Sequence, residues 1–132
     1  MSDEVIQWLR KAREDLTVAR HEMALPDEET VTAAVCFHCQ QFVEKVFKAF
    51  LVLHGVAFPR THNIEYLKEL CAQVDPEFAL VDVQNLSFYA VEIRYPGDYP
   101  NPTLTEAAAC LATAESVLQF VERKLSISFE SL

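Results

Sequence analysis

The segment from Cys36 to Leu51 constrains the fold of this 132-residue chain more than any other stretch. Wound as a helix, it carries apolar side chains at steps of three and four along one face, and a second apolar flank beside that face. The first face comprises Val35, Cys39, Phe42, Val46, Ala49 and Leu53, and the second comprises Cys36, Val43, Phe47 and Leu51. A helix that is apolar nearly all round must be covered on several sides. The segment is therefore predicted to be the central helix of a bundle, or to face a second chain as well.

The rest of the chain also has helical periodicity, and its only glycines are Gly55 and Gly97. We predict an all-α fold: a single up-and-down antiparallel bundle of four long helices and one short helix. The predicted helices run from about Asp3 to Met23, Glu28 to His54, Asn63 to Val74, Pro76 or Glu77 to Arg94, and Thr103 to Lys124. Residues 1–132 are expected to form one domain, with a core over 3–124 and a frayed tail over 125–132.

The formal net charge of −9 disfavours avid, non-specific binding to DNA or RNA, because an acidic surface repels phosphate backbones. No apolar run approaches the ~20 residues that a membrane-spanning helix needs. The polar, acidic start of the chain does not resemble a signal peptide. The expected location is therefore the cytoplasm, without membrane contact.

Cys36 and Cys39 form a C-x-x-C pair with His38 between them. Such a pair can bind a metal or carry out redox chemistry, but a zinc site needs a second pair of ligands, and the sequence offers no second C-x-x-C or H-x-x-H. The flanking residues are those of a helix in a core. We interpret both thiols as buried packing residues, and predict no metal and no cofactor.

The polar residues that could bind a ligand are scattered. Glu44, Lys45 and Lys48 lie on the second predicted helix, and His62 and Asn63 follow the link after it. Each has a structural explanation, as a helix ion pair, a turn residue or a cap. The loop after the fourth helix is more informative, since residues 95–102 contain three prolines and a glycine. A guanidinium can bind phosphate, and aromatic rings can stack on bases. The loop offers both kinds of group together with a carboxylate, on Arg94, Tyr95, Asp98 and Tyr99.

Three segments together resemble the HEPN domain family: CFHCQQFVEKVFKAFL, GVAFPRTHNI and YAVEIRYP. The resemblance extends from Trp8 to about Val121. It implies a helical bundle that is commonly dimeric. Many members act as partners of a minimal nucleotidyltransferase encoded beside them. Others are RNases, often toxins, whose site is an Arg and a His with four to six residues between them. Arg94 matches that arginine, but positions 99, 100 and 101 are Tyr, Pro and Asn.

A tyrosine hydroxyl is a poor substitute for an imidazole as a proton carrier near neutral pH. We therefore expect a homodimeric, non-catalytic, antitoxin-like partner of a minimal nucleotidyltransferase that binds a nucleotide or a partner segment near the Arg94–Tyr99 loop. Two alternatives stay open. One is a metal-independent RNase of the toxin type, and the other is a module whose only task is dimerisation.

Overall fold

The structure is a computed structural model that describes residues 1–89 and 101–132. Its α-helices are α1 (Asp3–Met23), α2 (Thr32–Leu53), α3 (Ile64–Val74) and α4 (Leu104–Leu125). Short 3-10 helices cover Asp27–Glu29, Pro76–Leu80, Gln84–Tyr89 and Phe129–Ser131. No strand occurs in the described ranges, and the predicted all-α class is confirmed.

The first two α-helices form an antiparallel hairpin. The ammonium of Lys48 lies 5.6 Å from the ring of Trp8, and further along α1 the carboxylate of Asp15 lies 2.7 Å from the ring of His38. Residue numbers therefore rise along α1 as they fall along α2. The second helix begins later than predicted, at Thr32, because the carboxylate of Glu22 accepts the Val31 N–H and holds the preceding residues in a turn.

The link between α2 and α3 is not helical, and it runs back along α2. It forms a separate pass, that is, a length of chain that runs along the bundle. Gly55 has φ of +67°, a left-handed conformation that suits glycine and ends the helix. By His62 the link has already returned to Glu44, near the middle of α2. The chain then turns again into α3, whose Cys71 donates to the Phe47 carbonyl. The third helix therefore runs parallel to α2.

The helix predicted from Pro76 or Glu77 to Arg94 is wrong over its described part, residues 76–89. That part forms two 3-10 helices with a break at residues 81–83. The side chain of Asp82 accepts the Gln84 N–H, and Lys68 donates to the Val81 carbonyl, so side chains take the place of helical hydrogen bonds at the break. The buried residues of this stretch are Phe78, Val83 and Leu86. Residues 90–94 lie outside the described ranges.

This irregular stretch runs antiparallel to α4. Phe78 packs edge to face against Phe120 with the ring centroids 5.0 Å apart, whereas Asn85 contacts Thr113, seven residues earlier in α4. Each pass of the described chain therefore reverses the direction of the one before it. The predicted up-and-down arrangement is present, but only four of its six passes are α-helices.

All these passes surround α2. Both of its apolar faces are buried, apart from Leu53 at its end. The second face, which sequence analysis left open to a partner chain, is covered within the single chain. The exposed small residues are instead on α4, where Ala108, Ala109 and Ala112 face outward.

The residues after α4 are packed, and the expected frayed tail is wrong. Phe129 is 4% exposed and lies 5.8 Å from the ring of Phe42 in α2. Arg13 donates to the carbonyls of Phe129 and Leu132 at 3.0 and 2.9 Å, and Glu122 accepts the Phe129 N–H. One aromatic anchor and a cluster of hydrogen bonds thus fix the segment to α1 and α4.

Candidate functional site: two carboxylate clusters on α2

Glu44 is the centre of a buried polar cluster between α2 and the link. The residue is only 3% exposed to solvent, and both of its carboxylate oxygens have partners within the protein. Oε2 accepts from Lys48 at 2.9 Å, and Oε1 lies 3.0 Å from Nδ1 of His62. A carboxylate can be buried away from water only if its charge is compensated, and here Lys48 compensates it.

Two glutamines close this cluster into a ring of hydrogen bonds. Gln40 donates to the main-chain carbonyl of His62 at 3.1 Å. Gln41 donates to Gln40 Oε1 at 2.8 Å and, over a longer 3.4 Å, to Glu44 Oε1. The backbone and the ring of His62 are therefore both fixed to α2, by different residues.

Aromatic rings enclose the lysine of this cluster. The Lys48 ammonium lies 5.6 Å from the Trp8 ring and 5.9 Å from the Phe58 ring, distances typical of cation–π contacts. Trp8 and Phe58 also pack edge to face, 6.5 Å apart. The cluster thus joins α1, α2 and the link.

A second cluster lies between α1 and α2 and is centred on Asp15. This carboxylate is buried, and it binds His38 Nδ1 through Oδ1 at 2.7 Å and Lys45 through Oδ2 at 2.5 Å. The pattern repeats that of Glu44, since each carboxylate holds one histidine and one lysine on separate oxygens.

The structure thus brings together three of the predicted site residues, Glu44, Lys48 and His62. Lys45 belongs to the Asp15 cluster instead. Asn63 caps α3, where its side chain accepts the Tyr66 N–H at 3.1 Å. The remaining predicted residues, Arg94, Tyr95, Asp98 and Tyr99, lie outside the described ranges, and their assignment to a ligand site stays a prediction.

Asp15, His38 and Gln40 were not predicted to belong to these clusters. A signal for Asp15 was available, because it occupies a position in the buried stripe of α1 between Ala12 and Ala19. An acid in such a stripe requires a partner on the facing helix. Gln40 gave no comparable signal, since its role depends on the return of the link to α2.

The C-x-x-C cysteines lie in the core. Cys36 and Cys39 are buried on α2, and burial raises the pKa of the Cys39 thiol to about 12. A thiol in this state is not the thiolate that redox or metal chemistry requires. Within residues 1–89 and 101–132, no group of three His, Cys, Asp or Glu side chains is placed to hold a metal ion.

A cleft among the described residues lies elsewhere. It is an open groove of about 570 Å³ between residues 77–82 and the outer face of α4, lined in part by Leu80, Phe120 and Arg123. None of the predicted site residues within the described ranges lines it. Volume alone does not make this groove a site, because it is open and is lined by neither the Asp15 cluster nor the Glu44 cluster.

The described fold and its clusters define a small helical-bundle protein with charged groups buried along its central helix. A family model described as "HEPN domain" matches residues 5–124. The chain belongs to the HEPN family. The helices of the described part include none that is both long and apolar enough for a membrane span.

Individual proteins similar to this chain agree with that assignment. One, from Methanocaldococcus jannaschii, is named "Putative toxin MJ1304" and is 30% identical, with 87% of this chain and 84% of the relative covered. The crystal structure of TT1696 from Thermus thermophilus has a TM-score of 0.69 at 28% identity, over 93% of this chain and 99% of the other. ST0689, an archaeal HEPN homologue, shares the fold with a TM-score of 0.63 at 24% identity, over 91% and 96%.

Proposed function

We propose that this HEPN protein is a non-catalytic, antitoxin-like partner of a minimal nucleotidyltransferase, and that it binds a nucleotide near the Arg94–Tyr99 loop. The pairing of its α2 lysines carries the proposal. Lys45 is bound to Asp15 and Lys48 to Glu44, so neither offers an uncompensated charge to a polyanion. A chain of net charge −9 therefore offers few favourable charge contacts to the phosphates of an extended RNA. A single nucleotide needs only one or two such contacts.

The absence of the family's catalytic histidine supports a non-catalytic role. In the described structure, the ring Nδ1 of His38 and of His62 is bound to a carboxylate of the α2 clusters. The sequence places Tyr99, Pro100 and Asn101 where the R-x4-6-H motif requires an imidazole. Proton transfer by the family mechanism therefore lacks its usual group.

A homodimer belongs to the same proposal. Because α2 is covered within the chain, the contact is expected on α4, where Ala108, Ala109 and Ala112 allow close helix approach. Sedimentation equilibrium at micromolar concentration should give a mass near 30 kDa, twice the 15.0 kDa of one chain. A mass of one chain would contradict the dimer.

Calorimetric titration with AMP and ATP tests the nucleotide site. We expect Arg94→Ala to weaken binding at least about tenfold, because loss of a charged hydrogen bond to phosphate costs roughly 1.5–3 kcal/mol. The thermal midpoint should stay within about 2 °C of the native chain. The control is Arg10→Ala, an exposed arginine of α1, which should bind like the native chain. Equal affinity of the native and Arg94→Ala proteins would contradict the site.

The partnership needs a separate experiment. The chain and the nucleotidyltransferase encoded nearest its gene should co-elute as one complex after co-expression. Separate elution of the two proteins would contradict a stable partnership.

One observation favours a second function, metal-independent RNA cleavage: the name of the Methanocaldococcus jannaschii relative designates a toxin. Incubation with transfer RNA, with and without a chelator, distinguishes the two. Cleavage by the native chain that persists with chelator and is lost in Arg94→Ala would replace the accessory role by an RNase.

A further inference from the structure

We propose that the cavity where α2, α3 and α4 end binds a small aliphatic amine, with its ammonium group towards Asp75 and its alkyl chain against the apolar wall of the cavity. This site lies apart from the two carboxylate clusters of α2. It is also independent of the nucleotide binding proposed above.

Three helices end around this cavity. Because successive passes of the chain alternate in direction, α2, α3 and α4 all run the same way and end together at one end of the bundle. The cavity has a volume of about 430 Å³. Its lining includes Leu53 and His54 from the end of α2, Val74 and Asp75 from the end of α3, and Lys124 and Leu125 from the end of α4.

The helix ends make this place attractive to a cation. Each helix C-terminus carries a partial charge of about −0.5 from its carbonyl groups. The N-terminus of α1 lies at the same end of the bundle and offsets one of the three. The partial charges that remain are negative.

The ionised side chains at the cavity are also unbalanced. Lys124 forms ion pairs with Asp75 at 2.7 Å and with Glu77 at 3.0 Å. Among the residues that the structure describes, neither acid has a second ion-pair partner. The hydrogen bond from Lys124 holds the pKa of Asp75 below its usual value, so this carboxylate is ionised at neutral pH. One ammonium therefore faces two carboxylates, and one negative charge remains.

The wall of the cavity selects the rest of the ligand. Leu53 and Val74 are 36% and 38% exposed at its rim, and behind them the ring of Phe50 lies 4.4 Å from the ring of His54. A bare metal ion gains nothing from such a surface, whereas the alkyl chain of an amine is stabilised by contact with it. A carboxylate or phosphate ligand would meet the unbalanced negative charge. The combination therefore fits an alkylammonium ion.

An NMR titration of the whole chain with hexylamine tests the site. The backbone amide signals of Leu53, His54 and Val74 should shift and saturate. The neutral alcohol 1-hexanol has the same chain length and should bind about fivefold more weakly, which is the effect of roughly one exposed ion pair. Hexanoate should cause no saturable shift. Equal affinity for hexylamine and 1-hexanol would overturn the proposal.

The variant Asp75→Asn tests the role of the carboxylate. Asparagine can still accept the Glu77 N–H, so the start of the 3-10 helix is kept while the charge is removed. We expect hexylamine to bind about fivefold more weakly and 1-hexanol to bind as before. The control Asp27→Asn changes an exposed acid at the other end of α1 and should bind both ligands like the native chain.

A second variant keeps the proposal testable if Asp75→Asn fails to fold. Val74→Trp places a large ring at the exposed rim of the cavity, and binding of both hexylamine and 1-hexanol should be lost. Native affinity for hexylamine in Val74→Trp or in Asp75→Asn would overturn the site. Amide shifts confined to other parts of the chain would overturn it as well.

Discussion

Two acidic residues, Asp15 and Glu44, explain why polar side chains can lie along the helix at the centre of the core. Each is buried, and each binds a lysine and a histidine. The exchange of hydration for these contacts is close to neutral in free energy when all partners are present, and strongly unfavourable when one is missing. The clusters therefore specify how α1 and the link meet α2 more than they add stability.

Removal of the Asp15 carboxylate should expose this dependence. Asp15→Ala leaves Lys45 and His38 without their shared acceptor, and we expect a loss of about 2 kcal/mol in unfolding free energy. That is below the ~3–5 kcal/mol of a fully buried pair, because both partners can turn towards water. Urea denaturation followed by circular dichroism measures it.

The control for Asp15 is another acid of α1. Glu14 pairs with Lys11 in the exposed arrangement typical of a helix surface. Glu14→Ala should change stability by no more than about 0.5 kcal/mol. An equal loss in both variants would mean that α1 needs its acids for general electrostatics and not for the cluster.

At the scale of elements, regular helices could be predicted from sequence and irregular passes could not. The capping box of Thr103 and Glu106 and the cap at Asn63 are local signals of helix starts, and both are present in the structure. The stretch 76–89 has enough apolar residues for a helix, and their spacing wrongly indicated a continuous α-helix. Its form depends on Lys68 and α4, which are distant in sequence, so local spacing could not reveal it.

Phe78 holds that irregular stretch to the core. Its buried ring contacts Phe47 and Phe50 of α2 and Phe120 of α4. We expect Phe78→Ala to cost about 3–5 kcal/mol, the usual range for a buried phenylalanine. The neighbour Leu80, 84% exposed, supplies the control, since Leu80→Ala should cost less than about 0.5 kcal/mol. A small loss at Phe78 would show that the stretch is held elsewhere.

At the scale of the whole molecule, sequence analysis predicted a bundle around α2 and gave the correct family. It also grouped Glu44, Lys48 and His62 as site residues, and the structure brings these together. Whether both faces of α2 would be covered by one chain, or one of them by a partner, was left open by the sequence pattern. Besides α1, α3 and α4, two extended or irregular passes contribute to that cover, and their course depends on contacts with residues distant in sequence.

The packed tail contributes to this cover. Phe129 reaches Phe42 in the central helix, and we expect Phe129→Ala to destabilise the chain by about 3 kcal/mol. The control Glu130→Ala, an exposed neighbour, should be nearly neutral. Thermal unfolding and limited proteolysis report the effect, and a tail that stays protected in Phe129→Ala would show that the bonds from Arg13 suffice.

The position of Phe129 against Phe42 also has a consequence for synthesis on the ribosome. α2 is made early, and α1 can cover only one of its sides. Its other sides stay uncovered until the later passes of the chain have been translated, because α4 and Phe129 supply the last contacts. A nascent chain halted before α4 and Phe129 would expose a large apolar surface of α2. Chaperones that bind growing polypeptides are therefore expected to bind it.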